Sequence, residues 1–331
     1  MRSLCYLICF TTAILLTAPL LAAEPGIVRG EVAYLPAADE AGIPARFRLS
    51  AHSFPYEARP LGINSPALEV WDVTFPSPVK SPHERNNTVH CEFYQPRGKA
   101  KAPGVIVLHI LGGDFALSRL FCNALAQHGV AALFVKMPYY GQRRDPASRQ
   151  RMIMPDPHET VAGMTQAILD IRRATAWLAA REDVDAERLG IFGISLGGIT
   201  SALAATAEPR LQNVCLLLAG GDVGKIATQA WELPEAHKIR QAWVEKGGTR
   251  EEFAAVLQTV DPVAYAGNVR GKRILMLNAV SDEIIPRVCT DSLWAAFGKP
   301  PIVWYEGGHY SVAWHLFGAL HQVTRFFGDA K

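Results

Sequence analysis

The stretch Leu189-Gly190-Ile191-Phe192-Gly193-Ile194-Ser195-Leu196-Gly197-Gly198 decides how the rest of the chain is read. Its first half is a short apolar run of the kind buried on both faces of a parallel sheet. Its second half turns to small residues and opens a helix over 197–207. A serine stands at the corner, with a glycine two positions before it and another two positions after. Such a corner presents the Ser195 hydroxyl at a strained backbone angle. It also brings neighbouring backbone so close that Gly193 and Gly197 have no room for a side chain. The helix behind Ser195 directs its positive end at whatever faces the hydroxyl. The five-residue pattern alone arises by chance in about one chain in ten of this length. Its placement between an apolar strand and a helix carries the weight.

Working outward, the chain alternates. The patterns predict strands at 89–94, 105–110, 130–135, 189–194, 214–218, 273–278 and 301–305. Helices are predicted at 117–128, 159–181, 197–207, 287–297 and 311–327. Strand–helix alternation with apolar strands gives an α/β fold, a mostly parallel, doubly wound sheet covered on both faces. Residues 222–260 interrupt the alternation with two or three amphipathic helices, such as 236–245 and 250–260. This segment is expected to form a small helical cap inserted before the late strands, over one end of the sheet. Residues 24–66 are rich in Pro, Ala and Gly and lack clear periodicity. They read as an irregular or short-stranded N-terminal extension, which leaves 67–331 as the main domain.

Composition narrows the classes. The 331 residues are 49% hydrophobic and 19% charged, the reverse of a disordered chain. The net charge is +2 with no long basic block, which argues against nucleic acid or an acidic membrane as partner. Between Arg2 and Glu24 there is no charge, and Ala22-Ala23 closes the apolar run. Residues 1–23 therefore read as a secretory signal peptide cleaved near Ala23, with a membrane anchor as the alternative. The expected location is secreted or periplasmic, without stable membrane association once the signal is cleaved. Cys91, Cys122, Cys215 and Cys289 remain, far apart and without a C-x-x-C pair. An oxidising compartment permits disulfides, but no pairing is assigned. Cys215, inside an apolar run, reads as a buried free thiol. No His, Cys or Asp grouping has metal-ligand spacing, so neither metal nor cofactor is expected. Asn86-Asn87-Thr88 matches a glycosylation sequon.

A nucleophilic serine needs a base for its proton and a carboxylate to orient that base. Both are sought in loops after the strands that follow the cap. Asp282 lies in Leu277-Asn278-Ala279-Val280-Ser281-Asp282-Glu283-Ile284-Ile285-Pro286, and His309 in Tyr305-Glu306-Gly307-Gly308-His309-Tyr310. Both loops leave the carboxyl ends of parallel strands, where active sites of open α/β sheets lie.

With these features the chain resembles the α/β-hydrolase superfamily over about residues 67–328. Within it the likeness is greatest to the branch of dienelactone hydrolases, acetyl xylan esterases and prolyl oligopeptidases. The resemblance implies Ser195 as nucleophile, His309 as general base and acid, and Asp282 as orienting carboxylate, with Glu283 as runner-up. It implies an oxyanion hole from the backbone N–H groups of Leu196 and Leu111. The loop reads His109-Ile110-Leu111-Gly112-Gly113 where the family often has His-Gly-Gly-Gly, which leaves Ile110 or Gly112 as alternative donors. His109 is expected to hold the loop. Tyr140 and Arg143, after a strand on the same edge, are pocket candidates. So is Trp231 in the cap, which with Trp243 could shape an acyl or alcohol pocket or simply pack the cap on the body. The expected activity is hydrolysis of a small-molecule carboxylic ester through an acyl-enzyme. A peptidase of the prolyl-oligopeptidase type is weaker because no propeller-sized N-terminal domain is visible. The remaining alternative is a non-catalytic hydrolase-like binding protein.

Overall fold

The computed structural model describes residues 26–37, 40–62, 65–98, 101–113, 115–230 and 237–329. The expected signal peptide at 1–23 and Trp231 lie outside the described residues. Four strands open the chain: β1 (Val28–Tyr34), β2 (His52–Pro60), β3 (Leu68–Pro76) and β4 (Thr88–Pro96). They pair antiparallel in sequence order. β5 (Ala102–Leu108), β6 (Ala131–Val135), β7 (Val184–Ile194), β8 (Asn213–Leu217), β9 (Arg273–Ala279) and β10 (Ile302–Tyr305) follow. The ten form one sheet in the order β1-β2-β3-β4-β6-β5-β7-β8-β9-β10, parallel from β6 onward.

The parallel strands are apolar along nearly their whole length because helices cover both faces. α1 (Ala116–Gln127) and α8 (Leu316–Gly328) cover one face, where Val105, Val107, Phe192 and Ile194 point. α2 (Pro157–Ala179), α3 (Leu196–Ala207) and α7 (Arg287–Ala296) cover the other, where Ile106, Leu108 and Ile191 point. Successive residues of β5 thus feed two separate cores, the two-residue period of a strand. The predicted closing helix at 311–327 is divided: Ser311–His315 is a 3-10 turn, and α8 proper starts at Leu316.

Residues 24–66, read as an irregular or short-stranded extension apart from the main domain, supply strands to the main sheet. β1 and β2 are full members of the sheet, and β3, which the sequence pattern also missed, joins them to β4. Their apolar positions are interrupted by charges and by prolines at 55 and 60, and only one face is buried, with Val32, Tyr34, Phe54 and Ala58 inward. Fully buried Arg172 of α2 ties the β1–β2 connection down. It donates to the Phe47 carbonyl at 2.5 Å, pairs with Glu208 at 3.3 Å, and reaches Glu40.

Between β8 and β9 lie the cap helices α4 (Val223–Ala230), α5 (His237–Val244) and α6 (Arg250–Gln258). Thr249 and Glu252 form a reciprocal capping box at the start of α6. Trp243 packs edge-on against Phe253 at 5.9 Å and donates its indole N–H to the Thr249 carbonyl, so it serves packing within the cap. α6 rests on α2 and α4 on α6, which places the cap beside the sheet edge where β7 ends.

Candidate active site

β7 ends at Ile194 and α3 begins at Leu196, so Ser195 alone makes the corner. Its backbone has φ 54° and ψ −115°, a region that a non-glycine residue occupies only when the surroundings enforce it. The two glycines are steric requirements. A Cβ on Gly193 would stand 2.1 Å from the Gly197 carbonyl oxygen, and one on Gly197 2.6 Å from the His109 carbonyl oxygen. The Ser195 N–H donates to the Leu217 carbonyl of β8 at 2.9 Å, anchoring the corner to the neighbouring strand.

The loops after β9 and β10 return to this corner. Val280 and Ser281 N–H groups donate to the carbonyls of Tyr305 and Gly307, which lock the two loops together. Gly307, at φ 111°, supplies the bend that a side chain would oppose. His309 is thereby set between two partners. Its Nε2 lies 2.9 Å from the Ser195 hydroxyl, and its Nδ1 lies 2.9 Å from Asp282 Oδ2. The Asp282 side chain is almost wholly buried, and its Oδ1 accepts from the Ile284 and Ile285 N–H groups at 2.9 and 2.7 Å. Those bonds fix the carboxylate, which faces the imidazole with both oxygens, Oδ2 at 2.9 Å and Oδ1 at 3.0 Å from Nδ1. Glu283 does something else: its Oε2 accepts the His309 backbone N–H at 2.8 Å, holding the loop rather than the ring. The structure thus brings Ser195, His309 and Asp282 into one hydrogen-bonded chain and excludes Glu283 from it.

The family model for alpha/beta hydrolase domain containing 18 matches residues 71–228, and that of the prolyl oligopeptidase family matches residues 164–297. The chain belongs to the α/β-hydrolase superfamily. Its fold is similar to that of an acetyl xylan esterase from Paenibacillus sp. R4, with a TM-score of 0.66 and 18% identity over 82% of this chain and 88% of that one. Acetyl xylan esterase 1 from Thermoanaerobacterium sp. JW/SL YS485 gives 0.63 and 19% over 83% and 87%. A cold-adapted esterase from an Arctic intertidal metagenomic library gives 0.53 and 14% over 80% and 96%. An uncharacterised protein of Mycobacterium tuberculosis strain H37Rv is 28% identical over 159 residues, 46% of this chain. The match spans about a third of that curated relative, 35% of its length.

In this α/β-hydrolase the loop after β5 faces Ser195. The Gly113 N–H donates to the Ile110 carbonyl at 3.3 Å, closing a turn that carries Leu111 at its exposed tip. Leu196 is the first residue of α3, where a helix leaves its N–H groups without an intrahelical acceptor. His109 is fully buried. The Met137 N–H donates to its Nε2 at 3.1 Å, so Nδ1 carries the proton and donates to the Ile110 carbonyl at 2.8 Å. Burial pushes its pKa down to about 4, which keeps the ring neutral and the turn in place.

The pocket candidates fare differently. Arg143 is fully buried away from Ser195. It pairs with Asp170 at 2.7 Å and donates to the carbonyls of Asn86 at 2.8 Å and Lys136 at 3.1 Å. It belongs to a polar cluster that fastens the loop after β6 to α2, because a guanidinium can be buried only with such partners. Tyr140 stacks edge-on against His109, ring centres 4.4 Å apart, behind the turn rather than in an opening; burial pushes its hydroxyl up to about 12. The sequon residue Asn86 is also buried. Its amide donates to Gln166 Oε1 and its carbonyl oxygen accepts the Tyr139 N–H. Cys91, Cys122, Cys215 and Cys289 are buried free thiols.

Two apolar cavities open on Ser195. One, of about 400 Å³, lies under the cap; the other, of about 480 Å³, lies beneath His309. Residues that sequence reasoning missed line them, notably Ile226 of α4 and Leu316 of α8. Their only signal was position on amphipathic helices, which does not distinguish a core face from a cavity wall. Among the described residues no group of three or more His, Cys, Asp or Glu is placed to hold a metal ion. None of the described helices is long and apolar enough to cross a membrane.

Proposed function

We propose that the protein is a serine hydrolase that cleaves carboxylic esters through an acyl-enzyme. The observation that carries the reading is the hydrogen-bonded chain from the strained Ser195 corner through His309 to buried Asp282. Ser195 Oγ attacks the ester carbonyl while His309 Nε2 takes its proton. The oxyanion that forms accepts hydrogen bonds from the N–H groups of Leu196 and Leu111, at the positive end of α3. The intermediate collapses as His309 returns the proton to the leaving alkoxide, which departs as alcohol. A water then gives its proton to His309 and attacks the acyl group. The acid is released and the hydroxyl of Ser195 restored. Throughout, Asp282 holds the Nδ1–H tautomer and stabilises the imidazolium.

Two of the structural neighbours are named for acetyl xylan, which makes an acylated carbohydrate one candidate substrate. The match to the prolyl oligopeptidase family over 164–297 favours a second reading, a peptidase with the same three residues. A fluorophosphonate should label the protein but not Ser195→Ala. Turnover of p-nitrophenyl butyrate without turnover of an aminoacyl anilide supports the esterase reading, and the reverse supports the peptidase. Absence of labelling would leave only a non-catalytic binding role. Export, inferred from Arg2 and the uncharged, mostly apolar stretch at 3–23, belongs to the same proposal and fits a substrate met outside the cytoplasm.

A further inference from the structure

We infer that the substrate carries an apolar chain on each side of its ester carbonyl, the acyl chain seated under the cap and the alcohol beneath His309. The inference rests on the serine-hydrolase reading above. The cap cavity is walled by Met164 of α2, Ile199 of α3, Val223 and Ile226 of α4, and Leu257 of α6. The second is walled by Leu117 and Phe121 of α1, Leu217 of β8, Val312, and Leu316 of α8. Leu111, Ser195 and Ile284 line both, so the cavities meet at the hydroxyl. Each falls within the range of pockets that enclose most of a small ligand.

Chemistry assigns the two sides. The leaving alkoxide must receive its proton from His309 Nε2, so it has to lie against that ring. His309 lines the second cavity and not the first. The acyl group, which stays on Ser195, is left with the space under the cap.

The polar groups argue against a polyhydroxylated substrate. In the cap cavity Glu283 Oε2 takes the His309 N–H, the Thr160 hydroxyl bonds the backbone N–H and C=O of Met154, and Gln229, the remaining polar side chain of the lining besides the nucleophile, is exposed. The rest of the lining is apolar, so several sugar hydroxyls buried there would lose more water than they gain partners. On the other side the apolar character continues to the surface. Tyr310 lines the cavity and is 74% exposed, and Trp314 and Phe317 on the same segment are 89% and 85% exposed.

The test uses two substrate series with the full chain. p-Nitrophenyl esters from acetate to octanoate vary the acyl side, and acetates of ethanol to octanol vary the alcohol side. Each buried methylene should raise kcat/KM about fourfold until the cavity is filled. Ile226→Trp should flatten the acyl series while the alcohol series keeps its slope, and Leu316→Trp should do the converse. Ala227→Leu and Leu117→Phe are milder substitutions at the same walls, for use if a tryptophan variant does not fold by circular dichroism. Exchanged effects would overturn the seating. Flat wild-type series with Ser195 still labelled by a small fluorophosphonate would overturn this inference and leave the hydrolase reading standing. Loss of labelling in the wild type would remove both.

Discussion

Replacing Asp282 by asparagine isolates the orienting carboxylate with little disturbance of the fold. Asp282 Oδ1 accepts both backbone N–H groups, from Ile284 and Ile285, and both oxygens face His309 Nδ1, Oδ2 at 2.9 Å and Oδ1 at 3.0 Å. An asparagine keeps those two bonds by placing its one carbonyl oxygen at Oδ1. Its NH₂ group then stands where Oδ2 was and donates to Nδ1. Oδ1, already taking two backbone N–H bonds, is the poorer acceptor for Nδ1–H, so the amide drives the imidazole proton onto Nε2, which now donates to Ser195 Oγ and cannot accept its proton. In another triad enzyme the same exchange lowers kcat by about 10⁴. Here that corresponds to about 5 kcal/mol of lost transition-state stabilisation. Stability should fall far less, by about 1–3 kcal/mol for one charge-assisted hydrogen bond. The assay is p-nitrophenyl butyrate turnover, read beside the rate of fluorophosphonate labelling and the urea midpoint. Glu283→Gln is the control, because glutamine still offers an oxygen to the His309 N–H; it should stay within about tenfold of wild type, at most about 1.4 kcal/mol. The reasoning fails if Asp282→Asn retains more than a tenth of wild-type activity, or if Glu283→Gln is the more damaging change.

Three further outcomes follow from the geometry. Gly193→Ala puts a Cβ 2.1 Å from a backbone oxygen, so the corner must open; labelling of Ser195 should vanish and Tm fall, whereas wild-type Tm with intact labelling would contradict the contact. Arg143→Ala leaves Asp170 buried without its cation and should cost about 3–5 kcal/mol in a denaturant titration, with kcat/KM of the folded fraction nearly unchanged; a specific rise in KM would instead restore Arg143 to the pocket. His109, with its pKa lowered to about 4, binds its proton less readily folded than unfolded. Its share of stability is therefore complete above about pH 6.5 and falls by about 2 kcal/mol at pH 5. His90 is lowered for the same reason, desolvation, and acts in the same direction. His109→Gln keeps a donor and an acceptor at the turn and should flatten the decline; an equally steep decline would show that other groups cause it.

The amino-acid sequence by itself determined the elements whose cause is local. The corner at Ser195 is legible because a strand, a turn and a helix compressed into ten residues leave no room beside Gly193 and Gly197. The parallel strands are legible because burial on both faces demands unbroken apolar runs. The loop positions of Asp282 and His309 follow from strand order alone. Tertiary structure decided what depends on partners distant in the chain. β1 to β3 joined the sheet because one-sided burial leaves only a weak alternation, which prolines and charges hide. Asp282 and Glu283 are adjacent carboxylates, and only the fold-back of the β10 loop gives one the imidazole and the other a backbone N–H. Arg143 and Tyr140 looked inward from the right edge of the sheet, but a guanidinium settles where it can be paired, and that was against Asp170 of α2. The two cavities beside Ser195 exist because helices from opposite faces of the sheet stop short of the same hydroxyl, a gap that no stretch of sequence encodes alone.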